Sequence, residues 1–158
     1  HQRRRLAHQR HRLLDQLIQH VVDVDDLLRL RLLLVTGGQQ LAQLLLHHHP
    51  LPAGCSWLDQ HSLRNAGELD TVLAKFPHVK YLLCGHIHQE LDLDWNGRRL
   101  LATPSTCVQF KPHCSNFTLD TIAPGWRTLE LHADGTLTTE VHRLADTRFQ
   151  PDTASEGY

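Results

Sequence analysis

The pattern of apolar and polar positions changes character near residue 44. Upstream, Leu13, Leu14, Leu17, Ile18, Val21 and Val22 recur at helical spacing and predict an amphipathic helix. Residues 30–36 read as a strand, with Gly37-Gly38 as its breaker. Downstream, Leu44-Leu45-Leu46 is a short apolar run that ends abruptly in His47-His48-His49-Pro50. That is the pattern of a buried strand delivering polar residues to its C-terminal end. A loop with Pro52 and Gly54 follows. A helix is predicted over 66–76, with Asn65 as N-cap, Glu68 at N3, Leu69, Val72 and Leu73 on one face, and Pro77 as its stop. Residues 79–84 (VKYLLC) predict a second buried strand, followed at once by Gly85-His86-Ile87-His88.

Beyond that point the pattern is one of β-hairpins. Residues 90–95 alternate, Asn96-Gly97 is a strong two-residue turn, and residues 98–103 return. A second hairpin is signalled by residues 126–131, an Asp134-Gly135 turn and residues 137–144. The last dozen residues are polar. The order strand, helix, strand, then antiparallel hairpins predicts an α/β (α+β) layered domain.

Composition sharpens one boundary. Residues 1–43 contain no Lys, Glu, Ser, Pro, Asn, Cys or aromatic residue, whereas everything after them has the usage of an ordinary globular protein. Three readings fit the first segment: a native helix–strand unit, a basic targeting peptide, or an out-of-frame stretch joined to a real domain. A transit peptide would favour hydroxyl residues that are missing here, and the biased usage favours the non-native reading. The expected organisation is therefore a biased segment over 1–43, non-native or disordered, a domain over 44–146 and a loose tail over 147–158. The chain begins without methionine and holds none, which is read as the mark of a fragment.

Charge and cysteines narrow the setting. A formal charge of −1 gives no electrostatic argument for nucleic acid or an acidic membrane, and no apolar run is long enough to span a bilayer. Cys55, Cys84, Cys107 and Cys114 form no C-x-x-C pair and read as reduced thiols of a cytoplasmic protein. A zinc ribbon on Cys107 and Cys114 is rejected for want of matching histidines.

The 14 histidines carry the chemistry. In Gly85-His86-Ile87-His88 two imidazoles leave the end of an apolar strand on a tight turn, where glycine permits a sharp exit. Neutral imidazole is the commonest protein metal donor. Alone this tetrapeptide is only suggestive, but His47 stands in a matching context, at the carboxyl end of the other apolar strand. Ligands at neighbouring strand ends are where α/β folds place their sites. His47, His86 and His88 are therefore the candidate metal ligands, against the plainer reading of solvated loop histidines. Trp57, Trp95 and Trp126 read as packing residues rather than a base-stacking platform, and residues 103–106 as a strand-to-turn segment.

The runs LLLHHHPLP and LLCGHIH resemble the last two motifs of the calcineurin-like metallophosphoesterases, and residues 44–158, including ATPSTCVQF, are similar to the cyclic-nucleotide phosphodiesterases of that family. The resemblance implies the C-terminal half of a four-layer αββα sandwich, and hydrolysis of 3′,5′-cyclic AMP, a small-molecule substrate, to 5′-AMP. It implies two divalent metals, iron, manganese or similar, that activate water and hold the phosphate for in-line attack. His47 and His86 would bind one metal and His88 the other, with His47 and His88 also meeting the substrate. His48 would sit near the site without a derivable role. The family's first three motifs, an Asp-x-His, a Gly-Asp and a Gly-Asn-His, are read as absent from the chain, so the bridging aspartate and the general acid are expected to be absent. The chain would then carry no catalytic residue of its own, hold at most one metal weakly, and lack activity alone. A phosphomonoesterase or nuclease of the same family, and a non-catalytic metal-binding or interaction module, are the competing functions.

Overall fold

The computed structural model describes residues 31–35, 41–146, 148 and 150–154. The helix expected near residues 13–22 lies outside them. Nine strands and two short helices are described: β1 (Arg31–Val35), β2 (Leu41–Leu46), α1 (Ser56–Asp59), α2 (Ala66–Leu73), β3 (Val79–Cys84), β4 (Leu91–Trp95), β5 (Arg98–Ala102), β6 (Gln109–Phe110), β7 (Leu119–Asp120), β8 (Gly125–Leu131) and β9 (Leu137–Arg143). The α/β class expected from the element order is the class the chain forms.

The main sheet runs β1-β2-β3-β5-β4. Strands β2, β3 and β5 are mutually parallel, and β1 and β4 flank them antiparallel. Strong apolar runs make this central trio. Leu44, Leu82 and Leu100 stand in register as one rung across it, each 2% exposed or less, and Leu46, Cys84 and Ala102 form the next. Leu58 of α1 and Leu69 and Leu73 of α2 close over the same core, joined by Ile87 and Phe110. Each fully buried leucine contributes about 1.5–3 kcal/mol by leaving water.

The β4–β5 hairpin turns at Asn96 (φ 54) and Gly97 (φ 79). Two positive φ values in a two-residue loop match the right-handed twist of the strands it joins. Helix α2 stops at Leu73, short of the expected 76, because its last turns tighten: Lys75 N–H bonds the Val72 carbonyl and Phe76 N–H that of Leu73. Asn65 does precede the helix, but with ψ at 34° rather than extended its side chain makes no capping bond, and its Oδ1 is left without a partner.

The β8–β9 hairpin packs beside the main sheet through cationic tethers. Arg127 donates to the carbonyls of Ala102 (3.1 Å) and Leu91 (3.2 Å) and to Thr139 Oγ1 (3.2 Å). Arg99 reaches the Leu137 carbonyl and Tyr81 the Gly135 carbonyl. Trp95 is buried, Trp57 packs edge-on against Phe110 and Phe117, and Trp126 is exposed against His142. All four cysteines are free.

Candidate metal centre

Strands β2 and β3 end side by side, with Leu46 paired to Cys84. His47 and Gly85-His86 therefore leave the sheet as neighbours. Ile87 is fully buried in the core and anchors the turn between the two histidines of the tetrapeptide. Holding Ile87 inward forces unusual backbone on both sides: His86 has φ 22 and His88 φ 50, the left-handed region that side chains rarely adopt. Such values persist only where surrounding structure imposes them.

Three imidazoles meet at this corner. His47, His48 and His86 bring their ligand nitrogens within 4.8 Å of one another. The ring of His86 stacks on that of His48, 4.4 Å between centroids, and meets His47 edge-on at 4.9 Å. His61 adds a further edge contact to His86, at 5.9 Å. Of the ligands expected from sequence, His47 and His86 are thus together. His88 stands apart from the trio, stacked flat on Phe110 at 4.4 Å, yet close enough for His47 to act on it electrostatically.

Hydrogen bonding decides which nitrogens are free. His48 Nδ1 donates to the His61 carbonyl, and His88 Nδ1 to the Val108 carbonyl at 3.0 Å. A carbonyl can only accept, so in each ring Nδ1 carries the proton and Nε2 keeps its lone pair. This is the outer arrangement that ligating histidines usually have. His86 Nε2 is buried with no hydrogen-bond partner at all. An orphaned buried nitrogen beside two further imidazoles fits a divalent cation of the zinc, manganese or iron kind.

Electrostatics favours the same form. Burial pushes His86 down to about 4, and the neighbouring His48, His47, His49 and His61 push in the same direction. Burial also lowers His88, against an opposing bond to the Val108 carbonyl. Both rings are neutral at physiological pH, the state that binds metal. His49 is lowered by burial as well, so its contact with Asp59 is a hydrogen bond rather than an ion pair. The trio contains no carboxylate.

Sequence reading left two features of this corner without a role. His48 follows immediately on a nominated ligand, and only the bend after Leu46 turns it inward. Asp59-Gln60-His61, which begins at the last residue of α1, is an Asp-x-His, contrary to the expectation that the chain holds none, and it lies in a stretch read simply as loop. That spacing was the available signal.

Imidazoles gathered at the carboxyl ends of parallel strands define a candidate metal centre in an α/β domain. The 3′,5′-cyclic adenosine monophosphate phosphodiesterase CpdA of Haemophilus influenzae is 50% identical over 143 residues, covering 90% of this chain and 50% of the relative. Its Vibrio vulnificus namesake is 54% identical over 115 residues, covering 73% of this chain and 42% of the relative, and that of Pseudomonas aeruginosa 47% identical over 134, covering 85% and 49%. The chain is thus a homologue of proteins named as 3′,5′-cyclic AMP phosphodiesterases, and it spans about half the length of these relatives. The Haemophilus match reaches into residues 1–43, the segment whose composition favours a non-native reading. No family model matches the chain. Among solved structures, wild-type Vps29 complexed with Zn²⁺ from Entamoeba histolytica covers 72% of this chain and is covered over 59% of its own, at 18% identity and a TM-score of 0.42.

Proposed function

We propose that this chain is the histidine-bearing part of a metal-dependent phosphodiesterase that hydrolyses 3′,5′-cyclic AMP to 5′-AMP. The observation that carries the reading is the junction of His47, His48 and His86 at the in-register ends of β2 and β3, with His86 Nε2 bare. The substrate comes from the relatives' activity.

His86 would hold a divalent metal through Nε2, with His48 and His47 beside it. His88, its Nε2 left free by the Val108 bond, would serve a second metal or the substrate. A bound divalent ion supplies Lewis-acid polarisation of the phosphoryl oxygens and a water of lowered pKa. The protein's own part is to keep these rings neutral, oriented by backbone carbonyls and fixed on a rigid sheet edge. With three imidazoles and no bridging carboxylate, the chain by itself would hold one ion, iron or manganese as candidates, and turn over cyclic AMP poorly or not at all. Four free cysteines suit a cytoplasmic setting.

Calorimetric titration with Mn²⁺, run alongside an assay of 5′-AMP release, tests this. One bound ion without turnover is expected. Turnover that disappears in His86→Ala would show that three imidazoles suffice and would overturn the inactivity of the isolated chain. Failure to bind any divalent ion would overturn the metal reading itself.

A further inference from the structure

We propose that Asp59 is a positioning residue for the imidazole cluster, its carboxylate clamping the turn over residues 47–50 through the buried ring of His49. The proposal rests on the metal reading above.

Asp59 closes α1 and stands about a quarter exposed, while His49 is 1% exposed. One oxygen, Asp59 Oδ1, accepts from two donors: the Ala53 N–H at 2.7 Å and His49 Nε2 at 3.2 Å. Because a carboxylate only accepts, Nε2 holds the His49 proton and Nδ1 is bare. That Nδ1 is buried without a partner. The same loop grips the turn twice more. Leu63 N–H donates to the His49 carbonyl at 2.9 Å, and the His61 carbonyl accepts from His48 Nδ1. Three bonds from residues 59–63 thus fix residues 48 and 49, and the His49 ring runs nearly parallel to that of His86, 17° between planes and 6.3 Å between centroids.

A purely structural role explains this poorly. A buried histidine with one nitrogen unsatisfied costs desolvation that an apolar residue of similar size would avoid. What the arrangement does supply is a fixed orientation for the residue next to His48. Losing a contact made directly to a ligating histidine costs about 10–100-fold in metal affinity, and Asp59 acts one step further out, through His49 and the turn that carries His48.

The test uses Co²⁺ as probe, with affinity from calorimetry, geometry from the visible d–d spectrum and fold from far-ultraviolet circular dichroism. Asp59→Ala is expected to weaken Co²⁺ binding by about 10-fold, the lower end of that range, and to change the spectrum. Asp59→Asn, whose Oδ1 still accepts from both Ala53 and His49, should recover affinity and spectrum. Should Asp59→Ala lose its fold, His49→Leu carries the same expectation with the Ala53 bond intact. Wild-type affinity and spectrum in the folded variants would overturn the clamp while leaving the metal reading standing. Asp59→Asn as weak as Asp59→Ala would also overturn it, since the acceptor is retained. A wild-type chain that takes up no Co²⁺ would remove the metal reading, and the clamp with it.

Discussion

The imidazole of His86 lies flat on that of His48, with 4.4 Å between centroids and 10° between planes. Stacked this closely, the two rings cannot both be charged without strong repulsion. Burial resolves the conflict by keeping His86 neutral, its pKa near 4. The corner therefore holds bare nitrogen lone pairs at a position where a folded protein would ordinarily satisfy or avoid them.

Removing that nitrogen should abolish metal uptake with little damage to the fold. His86→Ala deletes a group with no hydrogen bond to lose, so its unfolding free energy should stay within about 1 kcal/mol of wild type. Its Mn²⁺ affinity should fall by at least about 100-fold, beyond what loss of an outer contact causes. Titration calorimetry on the folded variant reads the first effect and urea unfolding the second. Undiminished binding would exclude His86 as a ligand.

Backbone strain at the same residue gives an independent expectation. At φ 22, any side chain crowds the following carbonyl, and glycine relieves a cost of about 1–2 kcal/mol. Part of the gain is offset by the freedom glycine adds to the unfolded chain. His86→Gly should therefore unfold at higher urea than His86→Ala, by about 1 kcal/mol. The reverse order would mean that the turn is not strained at residue 86.

Arg127 ties the β8–β9 hairpin to the sheet through the carbonyls of Ala102 on β5 and Leu91 on β4, and bonds Thr139 on β9 within the hairpin. Arg127→Met keeps much of the stem but removes all three bonds and leaves the Ala102 and Leu91 carbonyls without this donor. A loss of about 2–3 kcal/mol is expected by urea unfolding. Arg127→Lys should recover only part of it, because an ammonium cannot present the planar fork that spans those acceptors.

The parts of this fold that were legible in sequence are those fixed by local chemistry. Asn96-Gly97 dictates a turn that needs two positive φ values, and the runs around Leu44 and Leu82 have no place but a buried sheet. The insertion of β5 between β3 and β4 was not legible, since tertiary packing chooses which hairpin strand pairs with β3. Strands β6 and β7, two residues each, carry no period to read. At the site, context picked out His47 and His86. Strand alternation stops at Leu46, so sequence could not say that His48 turns inward while His88 lies on Phe110. Nor could it show that the loop after α1 folds back to hold residues 48 and 49.

Acid should weaken the chain partly through Asp92. Arg99 holds this carboxylate twice, Nε to Oδ1 at 2.9 Å and Nη2 to Oδ2 at 2.7 Å, and that bond is foremost in keeping its pKa below the usual range. A folded-state pKa below the unfolded value of about 3.9 fixes the sign. The contribution is fully present above the unfolded value and is lost as pH falls through the folded one. Both side chains are more than a third exposed, 37% and 47%, so solvent screening limits the pair to less than about 1 kcal/mol. Asp92→Asn should therefore cost about 0.5 kcal/mol at neutral pH, and the gap from wild type should close as pH falls below the unfolded value of about 3.9 and through the lower folded-state one. Urea midpoints of the two proteins across that range measure it. A gap that stays constant into acid would assign the loss to packing or to the neutral hydrogen bond, not to the charge on Asp92.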